Sequence, residues 1–313
     1  MQESLKQVIE PIFEREFSDN SYGFRPGRGC KDALREVDRL LKEGYQYIVD
    51  VDLKRYFETI PHDKLMSEIG KRIADGRVLK LIESFLKQVI MKGLKEWYPE
   101  EGTPQGGVIS PLLANIYLNP LDQKMKAEGF TMIRYADDIV VLCCSKSEAV
   151  RAMEQIQIWV RSAGLKLHSD KTGVADMTQI GTGFDFLGYH FERTRFNKKL
   201  KRWARKKSMQ KLKDAIRSQT KRSNGNSLKQ IIVTINPILR GWFEYFKHGN
   251  KSTFTLLDKW IRMRLRSILR KRTGRRGCGR GRDNNRWTNA FFAEHGLFSL
   301  IAAYETACQS SMR

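Results

Sequence analysis

Asp50 and Asp52 stand two residues apart at the end of the run 45–52, YQYIVDVD. In a strand of that pattern both carboxylates point to one face. Asp137 and Asp138 fall between two apolar runs, TMIRY and IVVLC. A tight hairpin there would ordinarily carry Asn-Gly or Asp-Gly. Carboxylates at strand ends beside apolar cores repel one another and resist ionisation unless a cation neutralises them. With no paired His or Cys nearby, these hard oxygen ligands point to Mg2+ rather than zinc. Two such ions about 4 Å apart, held by carboxylates from separate strands, are the apparatus of in-line phosphoryl transfer. Either pair alone also suits an ordinary turn or strand end. Together, in a chain that also binds polyanions, they favour a polymerase or nuclease site.

The polyanion-binding character follows from charge placement. The 313 residues hold 57 Lys plus Arg against 35 Asp plus Glu, a net +22. Residues 193–222 carry fourteen Lys or Arg and one Asp, and residues 259–286 carry twelve and one. Outside these two blocks the chain is close to neutral, so an ordinary globular region precedes a basic one. Phe196, Trp203, Trp242, Phe243, Tyr245, Phe246 and Trp260 lie within or between the blocks. Arg-rich surfaces with stackable rings suit unpaired or irregular RNA. No apolar run approaches a membrane span, and no basic helix shows a clean lipid-facing side, so no membrane partner is expected. The five Cys form no CxxC pair and are odd in number. That argues against a disulfide scaffold or a four-ligand zinc site, and a reducing cytoplasm is the expected compartment.

The elements that must position the carboxylates are legible from periodicity. Helical spacing marks 4–17, 31–43, 62–74, 77–91, 110–128 and 146–162. Strands are expected at 45–52, 131–135, 139–143, 165–168 and 184–191. From residue 205 the pattern is helical, over 205–220, 228–247 and 253–272, before a Gly/Arg-rich stretch at 274–282. The fold expected is α+β: an antiparallel sheet with packed helices, then an all-helical region.

The words around the carboxylates resemble reverse-transcriptase motifs in their usual order. They are DLKRYF (52–57) with IPH (60–62), GTPQGG (102–107) with SPLLAN (110–115), and YADD (135–138). SYGFRPGRGCKDAL upstream, AGLKLHSDKT and FDFLGYHF downstream, and NPILRGWFEYFK in the basic region narrow the match. Together they resemble the reverse transcriptase–maturases encoded by bacterial group II introns, from about residue 10 to the C-terminus.

That resemblance implies a palm with partial fingers over 1–191 and a helical thumb and maturase region over 192–273. A basic, DNA-binding-like segment follows over 274–313, with no endonuclease domain. It implies an RNA-directed DNA polymerase that extends a DNA primer on an RNA template with dNTPs and two Mg2+ ions. The implied partners are group II intron RNA, whose splicing and mobility it would assist, and target DNA. Asp52 and Asp137 match the main metal ligands, with Asp138 assisting, whereas Asp50 has no family role and is read as a solvated or structural neighbour. Phe57 matches the bulky residue that collides with a ribose 2′-hydroxyl. Gln105 matches a residue beside the nucleotide, and Lys171 a lysine near its phosphates. The backbone of residues 53–56 would face the triphosphate. Arg25 is a candidate template contact, and Arg202, Lys206, Arg240 and Arg264 are candidate nucleic-acid contacts in the basic region.

The chain departs from the family at its start. It opens at the helix before SYGFRPGRG, without the family's first motifs, fingertip strands and triphosphate-gripping basic residues. A fragment or a shortened relative is therefore expected. The competing expectation is an RNA-binding splicing maturase with an incomplete, inactive polymerase site.

Overall fold

The computed structural model describes residues 1–88, 90–92, 95–97, 100–104, 106–194, 200–279 and 281–310. They form two compact units, Met1–Leu187 and Gly188–Arg313. In the first, α1 (Gln2–Glu14) and α2 (Cys30–Glu43) lead to β1 (Tyr47–Asp52) and a 3-10 turn at Tyr56–Glu58. Helices α3 (His62–Gly70) and α4 (Gly76–Leu86) follow, then the short hairpin β2 (Ile90–Lys92) and β3 (Lys95–Trp97). After α5 (Ser110–Ala127) come β4 (Thr131–Tyr135), β5 (Asp138–Cys143), α6 (Lys146–Ser162), β6 (Gly173–Asp176) and β7 (Gly183–Phe186).

The central sheet has the order β4-β5-β1-β6, and every pairing is antiparallel. Alternation in β1 and β5 divides the core. Val49, Val51, Ile139, Val141 and Cys143 share one apolar cluster with Leu112, Leu113, Ile116 and Leu118 of α5 and Ala149, Ala152 and Ile156 of α6. Ile48, Val140 and Leu142 point the other way and are fully buried, on a sheet whose strands β4 and β5 also contact α2. Both sheet faces are therefore covered, which is why β5 reads as a continuous apolar run. Helix α5 is buried almost all round, from Leu112 through Leu118, and is the central helix of the unit.

Three strand and helix expectations need correction. Residues 165–168 form no strand; only Leu167 bridges to Leu53, and the strand beside β1 is β6. The expected strand 184–191 is broken because Leu187 and Gly188 both take positive φ, 47° and 82°. The helix expected over 77–91 ends at Leu86.

The second unit opens with the hairpin β8 (Tyr189–Arg193) and β9 (Leu200–Ala204). Helices α7 (Lys206–Gln219), α8 (Leu228–Phe246) and α9 (Lys251–Arg272) carry its bulk, followed by α10 (Asp283–Arg286), α11 (Asn289–Glu294) and α12 (Leu300–Ser310). Ile216, Ile232, Leu239, Phe254 and Leu265 share their core with Trp287, Phe292 and Leu300. The segment beyond residue 273, distinct by its charge, thus packs into the same core as α7–α9. Among the described residues no helix is long and apolar enough to cross a membrane.

Candidate active site

The pairing of β1 with β5 sets Asp52 directly opposite Asp138. Tyr135 also pairs with Asp138, so Ala136 and Asp137 form the tip of the β4–β5 hairpin. Burial pushes the Asp137 carboxyl above its ordinary value, its own backbone N–H draws it partly back, and the Asp52 charge adds to the rise. The carboxylates of Asp52 and Asp137 thus feel one another across the sheet end, as the sequence pattern requires. Asp138 turns an oxygen to the Leu187 N–H, 3.2 Å away. Asp50 lies one pleat back. Burial, with the charges of Asp138, Asp185 and Asp52 adding, pushes it up to about 7, which favours the structural neighbour over the solvated one.

This donor set suits a hard divalent cation. Repulsion between two carboxylates, one of them partly desolvated, is what a cation relieves. Among the described residues no three His, Cys, Asp or Glu side chains form a ready-made cluster. Mg2+ is ordinarily held by one or two carboxylates together with substrate phosphates, and a carboxylate pair matches that mode.

The segment after α6 lies along the end of β1. The Asp52 carbonyl accepts the His168 N–H at 2.8 Å, and the Lys171 ammonium lies 3.1 Å from Asp52 Oδ2. Both side chains of that ion pair are well exposed, so it is weak and easily exchanged. Of residues 53–56, Lys54 already donates its N–H to the Lys166 carbonyl at 2.8 Å, so that N–H is engaged within the chain. Arg55 takes a left-handed φ of 52° and turns the chain into the 3-10 segment that carries Phe57. The neighbouring Tyr56 is buried, and its hydroxyl donates to the Ala114 carbonyl at 2.6 Å. The Phe24 ring packs edge-on to the Phe57 ring at 6.5 Å and lies 6.2 Å from the Tyr135 ring. His62 is structural: Nε2 pairs with the Gly102 carbonyl at 2.6 Å, while the Thr103 N–H donates to the Phe57 carbonyl at 2.7 Å. These bonds hold the start of the GTPQGG loop against the Phe57 turn. Gln105 lies outside the described residues, as does Phe196 of the basic region.

Sequence reasoning missed the support under the hairpin tip. Arg134 is wholly buried in β4 and donates to both Asp122 oxygens, to Asn115 Oδ1 at 2.9 Å and to the Ala136 carbonyl at 3.1 Å. Asn115 and Asp122 are seven apart on α5, two helical turns, and so share a face. Asn115 also donates to the Gly23 carbonyl at 2.7 Å. A Cβ on Gly23 would lie 2.3 Å from the Ala136 nitrogen, so only glycine allows this backbone to seat against the tip. Ala136 itself holds a φ of 56°. The signal available in sequence was a lone Arg in an otherwise apolar strand.

One expected nucleic-acid contact is corrected. The Arg25 side chain is buried, paired with Glu14 at 2.7 Å and donating to the Ser18 and Ser21 carbonyls at 2.6 and 2.7 Å. It ties its own loop to α1 and has no surface to offer a template. Arg264 donates to Thr220 Oγ1 and to the Thr220 carbonyl, both at 2.7 Å, closing the end of α7. Burial and the nearby Arg217 charge lower its pKa. Lys206 and Arg240 are exposed, the Arg240 guanidinium 4.6 Å over the Phe298 ring. Arg202 donates Nε to the His248 carbonyl at 3.1 Å.

Comparison with known proteins gives the family and the fold. Residues 1–191 match the family described as reverse transcriptase (RNA-dependent DNA polymerase), and residues 209–287 match the group II intron maturase-specific domain. Protein YkfC of Escherichia coli is 32% identical over 235 residues, covering 62% of this chain and 61% of that protein. The group II intron-encoded protein LtrA of Lactococcus lactis is 41% identical over 123 residues, covering 39% of this chain and 20% of that protein. In both cases the chain spans less than two thirds of the relative's length. Apo telomerase from Candida tropicalis shares the fold, with a TM-score of 0.52 at 14% identity over 86% of this chain and 55% of that one. The chain belongs to the reverse-transcriptase family, its reverse-transcriptase domain followed by a maturase-specific domain of the group II intron type.

Proposed function

We propose that the chain is an RNA-directed DNA polymerase of a group II intron, extending a DNA primer on an RNA template with dNTPs. In this reading the second unit binds the intron RNA, aiding splicing and mobility, and engages target DNA. The observation that supports it most is the meeting of Asp52 and Asp137 at the sheet end, with the Phe57 turn beginning a few residues beyond Asp52. Asp52 and Asp137 would hold Mg2+, with Asp138 assisting. Held there, Mg2+ would supply activation of the primer 3′-hydroxyl and charge stabilisation of the leaving pyrophosphate. Lys171, released from its exposed pair with Asp52, would place a proton near those phosphates. The experiment is primer extension on an RNA template with and without Mg2+. Extension that stops on chelation supports the reading. Folded, RNA-binding protein with no extension overturns the polymerase and leaves the splicing maturase.

Phe57 supplies a second check. Its ring, braced edge-on by Phe24, would block a 2′-hydroxyl by contact alone. Phe57→Ala is expected to raise ribonucleotide incorporation relative to deoxyribonucleotide by about 100-fold, the scale on which a shaped pocket rejects one hydroxyl. Single-nucleotide kcat/KM values for dNTP and rNTP read it directly. An unchanged ratio would place the ring away from the sugar.

A further inference from the structure

The second unit contains a cavity of about 570 Å3 lined by Lys259, Arg262, Met263, Arg266, Asn284 and Thr288, with Gly279 and Asn289 completing it. It is built rather than incidental. Gly279 lies so close to α9 that a Cβ would stand 2.4 Å from Arg266 Cβ, and its N–H donates to Ser267 Oγ at 2.9 Å. Arg266 is buried and donates to the Trp287 carbonyl at 2.8 Å and to Asn289 Oδ1 at 3.1 Å. These bonds hold the wall formed by residues 284–289 at a set distance from α9.

The lining carries three cations, and no carboxylate is among the described lining residues. Arg262 lies 3.6 Å from Asp258, but that carboxylate is already engaged by the Ser299 hydroxyl and the Leu300 and Ile301 N–H groups. Burial, with the Arg262 charge adding and the Asp283 charge partly offsetting it, lowers the Arg266 pKa, and an entering anion would relieve the repulsion between the two guanidinium groups. The space is far larger than a single phosphate needs and falls within the range of organic ligand pockets, about 300–1,000 Å3. Its amides and hydroxyl offer both donors and acceptors, and Met263 supplies a polarisable wall for a ring.

We propose that this cavity receives one unpaired nucleotide of a bound strand, its phosphate between Lys259 and Arg262 and its base edge against Asn284, Thr288 and Asn289. A stacked duplex keeps its bases inside, so a concave site of this kind selects a splayed-out nucleotide. The inference rests on the second unit binding nucleic acid and names the place where it reads a single base.

The test uses the full chain and fluorescence anisotropy with three probes of one sequence, about twelve nucleotides long: single-stranded RNA, single-stranded DNA and duplex RNA. Lys229 is exposed on α8 outside the cavity, so Lys229→Met serves as the charge-matched control. Arg262→Met is expected to weaken single-strand binding by about 10-fold and duplex binding by about twofold or less, because base and phosphate contacts are lost together only in the unpaired strand. Equal losses in RNA and DNA mean that the sugar is not read, and a loss confined to one of them locates a sugar contact in the same site. Asn284→Ala, at an exposed position, is expected to change the affinity ranking among single-stranded homopolymers by about fivefold. If Arg262→Met behaves as Lys229→Met does on all three probes, or if Asn284→Ala leaves the ranking intact, the nucleotide cavity is overturned while RNA binding stands. A parent chain that binds none of the probes overturns the nucleic-acid reading itself.

Discussion

Asp137→Ala is expected to reduce RNA-templated DNA synthesis by about 10³-fold or more while leaving RNA affinity within about twofold. The direction follows from where the carboxylate sits. Asp137 is at the hairpin tip, half-buried, and its charge is opposed both by desolvation and by Asp52. In the folded chain alone it is an electrostatic liability, so its removal does not weaken the sheet. In synthesis it is one of two carboxylates on separate elements that would clamp the reacting phosphate through divalent cations, and a single carboxylate cannot do this. The hairpin geometry belongs to Ala136 and to the groups beneath it, so the variant retains its backbone. On the proposed reading RNA binding lies with the second unit, where the Lys and Arg residues are concentrated. The measurement is single-turnover extension beside RNA anisotropy on the same preparation. Synthesis retained in the variant would remove Asp137 from the chemistry, and RNA binding lost with it would show that the substitution had disturbed the fold.

Which parts of this arrangement were legible in sequence depends on how far each one reaches. The placement of Asp52 at a strand end and of Asp137 at a hairpin tip was legible because each rests on local pattern, a strand that ends in carboxylates and a tip that replaces glycine with aspartate. The antiparallel sheet and the helices followed from periodicity for the same reason. Arg25 was misplaced, and the anchoring of Arg264 was not foreseen, because charge is visible in sequence while the destination of a long side chain is not. Arg25 meets Glu14, eleven residues earlier, and Arg264 meets Thr220, forty-four residues earlier. Residues 165–168 alternate as a strand would, yet Leu165 is tied back to the end of α6 through the Val160 carbonyl, which leaves a single bridge at Leu167. The cavity in the second unit was not legible at all. It arises where Gly279 allows a loop to lie on α9, and a glycine within a Gly/Arg-rich stretch gives no hint of which neighbour it meets. The Arg134 network lies between these cases, because its three members are each conspicuous and only their meeting is not.

Arg134→Met is expected to destabilise the first unit by about 3–5 kcal/mol, the usual cost of removing one partner of a buried ion pair. The side chain is fully buried and Asp122 is 4% exposed, so the substitution leaves an uncompensated carboxylate in the core. Asn115 Oδ1 and the Ala136 carbonyl lose donors at the same time. The main-chain bonds of residue 134, from its N–H to the Asn20 carbonyl and from the Tyr22 N–H to its carbonyl, persist and keep the strand in place. A second variant separates stability from positioning. Arg134→Met combined with Asp122→Leu removes both charges, and replacing a buried pair with apolar groups is often neutral or better, so urea unfolding should recover most of the loss. Synthesis should not recover with it. The Ala136 carbonyl still lacks its donor, and the left-handed residue that presents Asp137 loses the guanidinium beneath it. A displacement of about 1 Å at a reacting group is enough to cost about 100-fold in rate. A double variant that regains both stability and synthesis would make Arg134 a fold element only. One that regains stability and stays slow, with unchanged RNA affinity, assigns Arg134 to holding the Asp137 carboxylate where the chemistry needs it.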